Sequence, residues 1–260
     1  MGKVFLVGAG PGDPELLTIR AARLLAEADV VLHDALVPEG ILRLIGSKAQ
    51  IIDVGKRNGT KFHTQDEINE LLVAYGRANH TVVRLKGGDP SLFGRAGEEI
   101  EALFSAGVDF EIVPGITAAM AGAAAARISL TDRRHAASVV FVTARRRAGA
   151  DEIRWSKLVE AGSTLAIYMP GANYSELCER LRDAGLDGST PCAVVSAASR
   201  GDQQVLWTDL LSLPNHAGLP APSIVIAGEC ARAAGEARLP LDAYRHLLAP
   251  AGQECEYMRE

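Results

Sequence analysis

Short apolar runs alternate with amphipathic helical stretches along most of this 260-residue chain. That alternation restricts the fold more than any other feature. Lys3 to Val7, Asp29 to His33, Gln50 to Val54, Thr81 to Leu85 and Phe110 to Val113 read as strands. They are apolar almost throughout, as strands covered on both faces are. Helical patterns lie between them. Asp13 is placed to cap one, with Pro14 at its first position and Leu16, Leu17, Ala21, Leu24 and Leu25 on one face. Thr64 and Glu67 form a capping box ahead of Ile68, Leu71, Leu72 and Tyr75. A further helix runs through Glu98, Ile100 and Leu103.

A second series follows the small-residue stretch Ile116 to Ala126 and the basic link Ser129 to Arg134. Ser138 to Thr143, Ser163 to Tyr168, Cys192 to Ser196 and Ser223 to Ala227 read as strands. Helices are expected near Glu152 to Glu160 and Tyr174 to Ala184, and Gln203 to Thr208 adds an antiparallel strand. The expectation is an α/β protein of two α/β domains with a binding cleft between them. Its parts are an N-terminal domain over residues 1–114, a linking helix and loop over 115–136, a C-terminal domain over 137–240 and a tail over 241–260.

Composition removes several classes. With 48% hydrophobic and 23% charged residues the chain is an ordinary globular protein that can bury a large core. A formal net charge of -5 argues against a nucleic-acid partner. The apolar start MGKVFLVGAG is too short for a signal peptide, and Ile116 to Ala126 is too short to span a membrane. Cys178, Cys192, Cys230 and Cys255 form no CxxC pair and show no zinc spacing, so buried or free thiols in a reducing cytoplasm are expected, with no metal.

The segment RLKGGDPSLFGR, residues 84 to 95, carries the chemistry. It puts Gly87, Gly88 and Asp89 at the carboxyl end of a strand, where open α/β sheets bind ligands. Without a Cβ the glycines let a ligand approach the backbone. Arg84, Lys86 and Arg95 are expected to surround the loop with positive charge. An ordinary turn has the same composition, so the rest of the chain has to decide. The first strand runs into Gly8-Ala9-Gly10-Pro11-Gly12-Asp13. This is not a nicotinamide fingerprint, because Pro11 follows the second glycine and the third does not fall inside a helix. Asp34 and Lys56 also stand at strand ends, where they are either solvated loop charges or an acid–base pair.

Several segments agree in order and spacing: VGAGPGDPELLT, ADVVLHDALV, GKR, RLKGGDPSLFGRAGEE, VPGITAA, SLTDRR, SVVFVTAR, STLAIYM and TPCAVV. Through them the chain, from about Lys3 to Gly228, resembles the uroporphyrinogen-III C-methyltransferases of the tetrapyrrole methylase superfamily. The resemblance implies the tetrapyrrole methylase fold, a homodimer in the cytoplasm and S-adenosyl-L-methionine in the interdomain cleft. It implies transfer of two methyl groups to uroporphyrinogen III, giving precorrin-2. Carried over by position, the cofactor would contact Pro11, Gly87, Gly88, Asp89, Leu92, Thr117, Ala118, Met169 and Ala198. The substrate would contact Arg95, Glu98 and Arg133, and Asp34 and Lys56 match the family's acid–base positions. Arg95 or Arg133 is the alternative proton acceptor. The chain departs from the family at Ser129, at Asp132 of Thr131-Asp132-Arg133, at Ala144-Arg145 and at Ala198. A later precorrin methyltransferase and a binding homologue without turnover are the competing readings.

Overall fold

A computed structural model of the chain describes residues 2–57, 60–61, 63–145 and 153–232. The elements follow in the order β1 (Lys3–Gly8), α1 (Ile19–Glu27), β2 (Val30–His33), α2 (Glu39–Leu42), β3 (Gln50–Asp53), β4 (Lys56–Arg57), β5 (Thr60–Lys61), α3 (Gln65–Arg77), β6 (Thr81–Lys86), α4 (Ala96–Ser105) and β7 (Phe110–Val113). Then come α5 (Ala118–Ala125), β8 (Val139–Thr143), α6 (Trp155–Glu160), β9 (Thr164–Tyr168), α7 (Ser175–Asp183), β10 (Pro191–Ser196), β11 (Gln204–Asp209) and β12 (Ser223–Ala227).

The first sheet is parallel throughout, in the order β3-β2-β6-β1-β7. Its two faces carry separate cores. Val7, Val31, Val83 and Leu85 pack with Leu24 and Leu25 of α1 on one side. Val4, Leu6, Leu32 and Val82 pack with Leu72 of α3 and Leu103 of α4 on the other. Burial on both faces is why these strands read as unbroken apolar runs. The second sheet has the order β11-β10-β12-β9-β8. Only β8 and β9 run parallel in it; the pairs β9–β12, β12–β10 and β10–β11 are antiparallel. The antiparallel placement of β11 agrees with the sequence expectation.

The small-residue helix α5 packs on this second sheet. A Cβ on its Gly122 would lie 3.0 Å from Ile224 Cγ2, so the backbone comes close to the strand surface. Ala119 and Ala123 share a core with Ala166, Val195, Ile224 and Ile226. The helix start differs from the sequence expectation. Asp13 accepts a bond from the Glu15 amide but caps only a single 3-10 turn, Pro14–Leu16. Thr18, whose hydroxyl accepts from the Ala21 amide, caps α1. Thr64 and Glu67 do form the reciprocal capping box of α3.

Cys178, Cys192 and Cys230 are buried free thiols. Burial pushes the Cys178 thiol up to about 11 and that of Cys192 further still, which disfavours the thiolate. Cys255 and the tail after Pro240 lie outside the described residues.

Candidate active site

The carboxyl ends of β1, β6 and β7 meet at three glycines. A Cβ on Gly115 would lie 2.3 Å from the Gly88 carbonyl oxygen and 2.8 Å from Gly8 Cα. A Cβ on Gly8 would lie 2.6 Å from Gly115 Cα. No side chain fits at Gly8 or Gly115, so the strand-end loops close on one another through bare backbone. Gly10 and Gly88 exchange amide bonds of 3.1 and 2.8 Å, with both residues at positive φ. That conformation is open to glycine at little cost.

Asp89 ties this centre together. Its Oδ1 accepts from the Ser91 amide at 2.8 Å and its Oδ2 from the Gly115 amide at 3.0 Å. The carboxylate thus bridges the loop after β6 to the loop after β7. Beside it opens a cavity of about 540 Å³, lined by Leu16, Asp89, Leu92, Gly115, Ile116, Thr117, Met120, Ala121, Ala124 and Phe141. The volume lies in the range of roughly 300 to 1,000 Å³ that small-molecule sites occupy. The second sheet contributes Phe141 of β8 to the lining. Tyr168, at the end of β9, shares a 2.6 Å bond with the Thr117 hydroxyl and accepts from the Ala119 amide at 3.2 Å. Burial raises the Tyr168 pKa despite those bonds, so the phenol stays neutral.

Of the residues expected to hold a cofactor, Asp89, Leu92 and Thr117 line this cavity. Gly88 stands next to it: a Cβ there would be 3.8 Å from Thr117 Cα and 4.0 Å from the Ala118 amide. Gly87 approaches Leu36, and Met169, at φ 52°, follows Tyr168. Pro11 and Ala198 do not line the cavity; they belong to a contact between the two halves. Arg200 donates from Nε to the Pro11 carbonyl at 3.2 Å and from Nη2 to the Leu36 carbonyl at 2.7 Å. The Ser199 hydroxyl accepts from the Asp13 amide at 3.2 Å. Ala198 lies between Ala197 and Ser199, both at positive φ.

The acid–base and substrate candidates stand around the same sheet edge. A Cβ on Gly55 would lie 2.2 Å from the Ala35 amide, so the segments bearing Asp34 and Lys56 pass in direct contact. The Lys56 and Arg57 side chains lie outside the described part. Asp34 Oδ1 accepts from Arg84 Nη2 at 2.5 Å. Arg95, left-handed at φ 57° ahead of α4, forks onto Glu98 with bonds of 2.7 and 2.6 Å. Two expected substrate contacts are therefore partners of each other. Arg133 is exposed and makes no ion pair among the described residues. Asp132 does not take it up: it accepts from the backbone and guanidinium of Arg134 instead, which holds its carboxyl far below the usual range.

Arg84 and Lys86 are not where the sequence placed them. Neither surrounds the loop; both are buried against Glu99. Glu99, Tyr168 and Arg200 carried no signal local enough to be found from sequence.

A parallel sheet whose strand-end loops pack through Gly8, Gly88 and Gly115 beside one cavity, with a second mixed sheet against it, is the arrangement of a small-molecule site in an α/β protein. The sequence matches the tetrapyrrole (corrin/porphyrin) methylases over residues 3–214, and the chain belongs to that family. It is 45% identical over 249 residues to the uroporphyrinogen-III C-methyltransferase of Paracoccus denitrificans, covering 94% of this chain and 87% of that one. It is 46% identical over 229 residues to siroheme synthase 1 of Cronobacter sakazakii, covering 88% of this chain and 49% of the relative. The chain spans about half the length of the siroheme synthases it matches. Uroporphyrin III C-methyl transferase from Thermus thermophilus superposes with a TM-score of 0.77 at 37% identity, over 89% of this chain and 99% of that one. Its complex with S-adenyl homocysteine superposes with a TM-score of 0.77 at 36% identity, over 89% and 94%.

Proposed function

We propose that this chain is an S-adenosylmethionine-dependent C-methyltransferase that adds two methyl groups to uroporphyrinogen III, giving precorrin-2. The observation that carries the reading is the packing of the GAGPGD, GGD and PGIT loops on one another beside a cavity lined by Asp89, Leu92 and Thr117. The Thermus relative of this fold is named as a complex with S-adenyl homocysteine, and the Paracoccus relative is matched along most of its length.

The residues suit such a cofactor. The cavity wall is apolar at Leu16, Leu92, Ile116, Met120 and Phe141, and the loops after β6 and β7 bring Asp89 and Gly115 to it. Pro11, Gly87, Gly88, Ala118, Met169 and Ala198 complete the proposed contact set. S-adenosylmethionine, when bound, supplies a methyl group on a sulfonium that departs as a neutral thioether. What the protein adds is alignment and exclusion of water. The attacking pyrrole carbon uses its π pair for the new C–C bond, and the macrocycle then holds one positive charge until a proton leaves. Asp34 is our candidate to take that proton, and Lys56 to return one. Arg95, released from Glu98, and the exposed Arg133 would bind the acetate and propionate groups through forked, charge-assisted bonds. The same reading includes a homodimer acting in the cytoplasm. The described residues contain no helix long and apolar enough to cross a membrane.

The test is anaerobic incubation of the purified protein with S-adenosylmethionine and enzymatically generated uroporphyrinogen III. A product heavier by two methyl groups supports the assignment. One or three additions, or methylation of a later precorrin instead, would move the chain to another member of the family. Cofactor binding without product would make it a binding homologue. Light scattering at twice the chain mass would support the dimer.

A further inference from the structure

Arg84, Lys86 and Glu99 are 2%, 2% and 0% exposed, and nothing in the proposed chemistry uses them. Arg84 and Lys86 occupy alternate positions of β6, so both leave the same face of the sheet. Glu99 comes down on them from the first turns of α4. Its Oε1 accepts from Arg84 Nε at 2.9 Å, and both its oxygens accept from Lys86 Nζ at 2.9 Å. Gln65 of α3 adds a longer bond to Oε1. Two cations and, with Asp34, two carboxylates are gathered here. Burying such ions is costly even when they are paired, and well-packed apolar residues often serve stability as well or better. Stability alone does not account for the cluster.

Its ends do suggest an account. At one end the Arg84 guanidinium, fixed by Glu99 at Nε, extends Nη2 to Asp34 Oδ1. The Asp34 side chain keeps 31% of its surface, and Oδ2 has no partner among the described residues. At the other end Lys86 lies under the turn that presents Arg95: a Cβ on Gly94 would be 3.1 Å from Lys86 Cε. Glu99 itself follows Glu98 directly. One buried cluster thus fixes both places where acid–base and substrate chemistry is expected.

We infer that Arg84 is a positioning residue for methyl transfer: held by Glu99, it orients Asp34 through Oδ1 and leaves Oδ2 for the proton that the methylated macrocycle releases. This rests on the proposed reaction. The O–H bond forms at Asp34 Oδ2 as the C–H or N–H bond of the cationic macrocycle breaks, and the electron pair of that bond returns to the ring.

The experiment is a double-variant cycle on the full chain, read by single-turnover methylation and by calorimetry with S-adenosylhomocysteine. Asp34→Asn should slow turnover by roughly a hundredfold. Arg84→Met should slow it by roughly tenfold to a hundredfold, the order that misplacement by about 1 Å brings. Cofactor affinity should hold in both, which also shows that they fold. In the double variant the Arg84 change should cost nothing further, because its effect passes through Asp34. Arg84→Lys, which keeps the charge but cannot fork between two carboxylates, should fall between wild type and Arg84→Met. It replaces Arg84→Met in the cycle if that variant does not bind cofactor. Wild-type turnover in the Arg84 variants, or additive losses in the double variant, would overturn the inference. So would an Asp34→Asn protein as fast as wild type. Absence of methylated product from the wild-type protein is a different result, and it strikes the proposed function instead.

Discussion

At the scale of single residues, Asp89 and Gly115 show how the cavity is kept open. Both Asp89 oxygens accept backbone amides, one from its own loop and one from the loop after β7. The residue most expected to touch a ligand is thus also the tie between two loops. Asn at this position offers one acceptor and turns an NH₂ toward an amide that needs an acceptor. Asp89→Asn should cost about 1 to 3 kcal/mol in unfolding free energy. It should also weaken S-adenosylhomocysteine binding; denaturant titration and calorimetry on one sample would show both effects. Gly115→Ala is the steric counterpart, since its methyl group would fall 2.3 Å from the Gly88 oxygen. Overpacking of that kind costs about 1 to 3 kcal/mol or more, so this variant should unfold at clearly lower denaturant than wild type. A Gly115→Ala protein with unchanged midpoint would mean the loops yield easily.

Among the elements, α3 and α4 cross the same face of the first sheet but begin in different ways. α3 starts at a complete capping box, with the Glu67 amide donating to the Thr64 hydroxyl at 3.2 Å and the Thr64 amide to Glu67 Oε2 at 2.5 Å. Thr64→Ala should lower stability by about 1 kcal/mol, measured by urea unfolding at neutral pH. The Thr64 bonds hold the Glu67 carboxyl below its ordinary value. A depressed carboxyl contributes stability that is present above its unfolded pKa and lost as pH falls through the folded one. The stability difference between wild type and Glu67→Gln should therefore shrink as the pH is lowered through and below the ordinary glutamate range. No shrinkage would separate the cap from the Glu67 charge. α4, by contrast, begins at Arg95 in the left-handed region with no side-chain cap. Its anchorage comes from Glu99 buried on β6. A start built on ionic contacts with the sheet, and not on a local cap, fits an element that carries candidate substrate residues.

Over the whole molecule the two sheets are joined at the cavity from both sides. Tyr168 ties the second sheet to the cavity wall through Thr117 and Ala119, and Arg200 clamps the loop after β1 through Pro11 and the loop after β2 through Leu36. A Cβ on Gly12 would lie 2.7 Å from Arg200 Cγ, so the arginine lies flat against that loop. Arg200→Met keeps much of the stem and removes both bonds. It should destabilise the protein by about 1 kcal/mol after allowing for its partial exposure. It should also weaken cofactor binding several-fold, because the loop bearing Pro11 loses its hold. Thermal unfolding and calorimetry would check this. Intact cofactor affinity in Arg200→Met would show that the clamp serves the fold alone.

The chain's own pattern determined the strands and most helices, because apolar periodicity and caps are written within a few residues of each other. Phe110–Val113 and Ser223–Ala227 were legible to the residue, and so was the capping box at Thr64 and Glu67. The glycines and Asp89 at the strand ends also pointed to the loops that now meet at one cavity. Tertiary structure decided what the charges do. Arg84 and Lys86 look like loop cations in the sequence, yet Glu99, 15 and 13 positions away, draws them into the interior. The Arg200 guanidinium finds its partner at Pro11, 189 positions earlier. Asp13 looks like the cap of α1, but the chain makes one tight turn first and leaves that role to Thr18. An apolar run carries its strand with it, since burial on a sheet is all it requires. A charge has no such local answer: its place is set by whichever opposite charge the folded chain brings within reach, and that is a property of the assembled sheets.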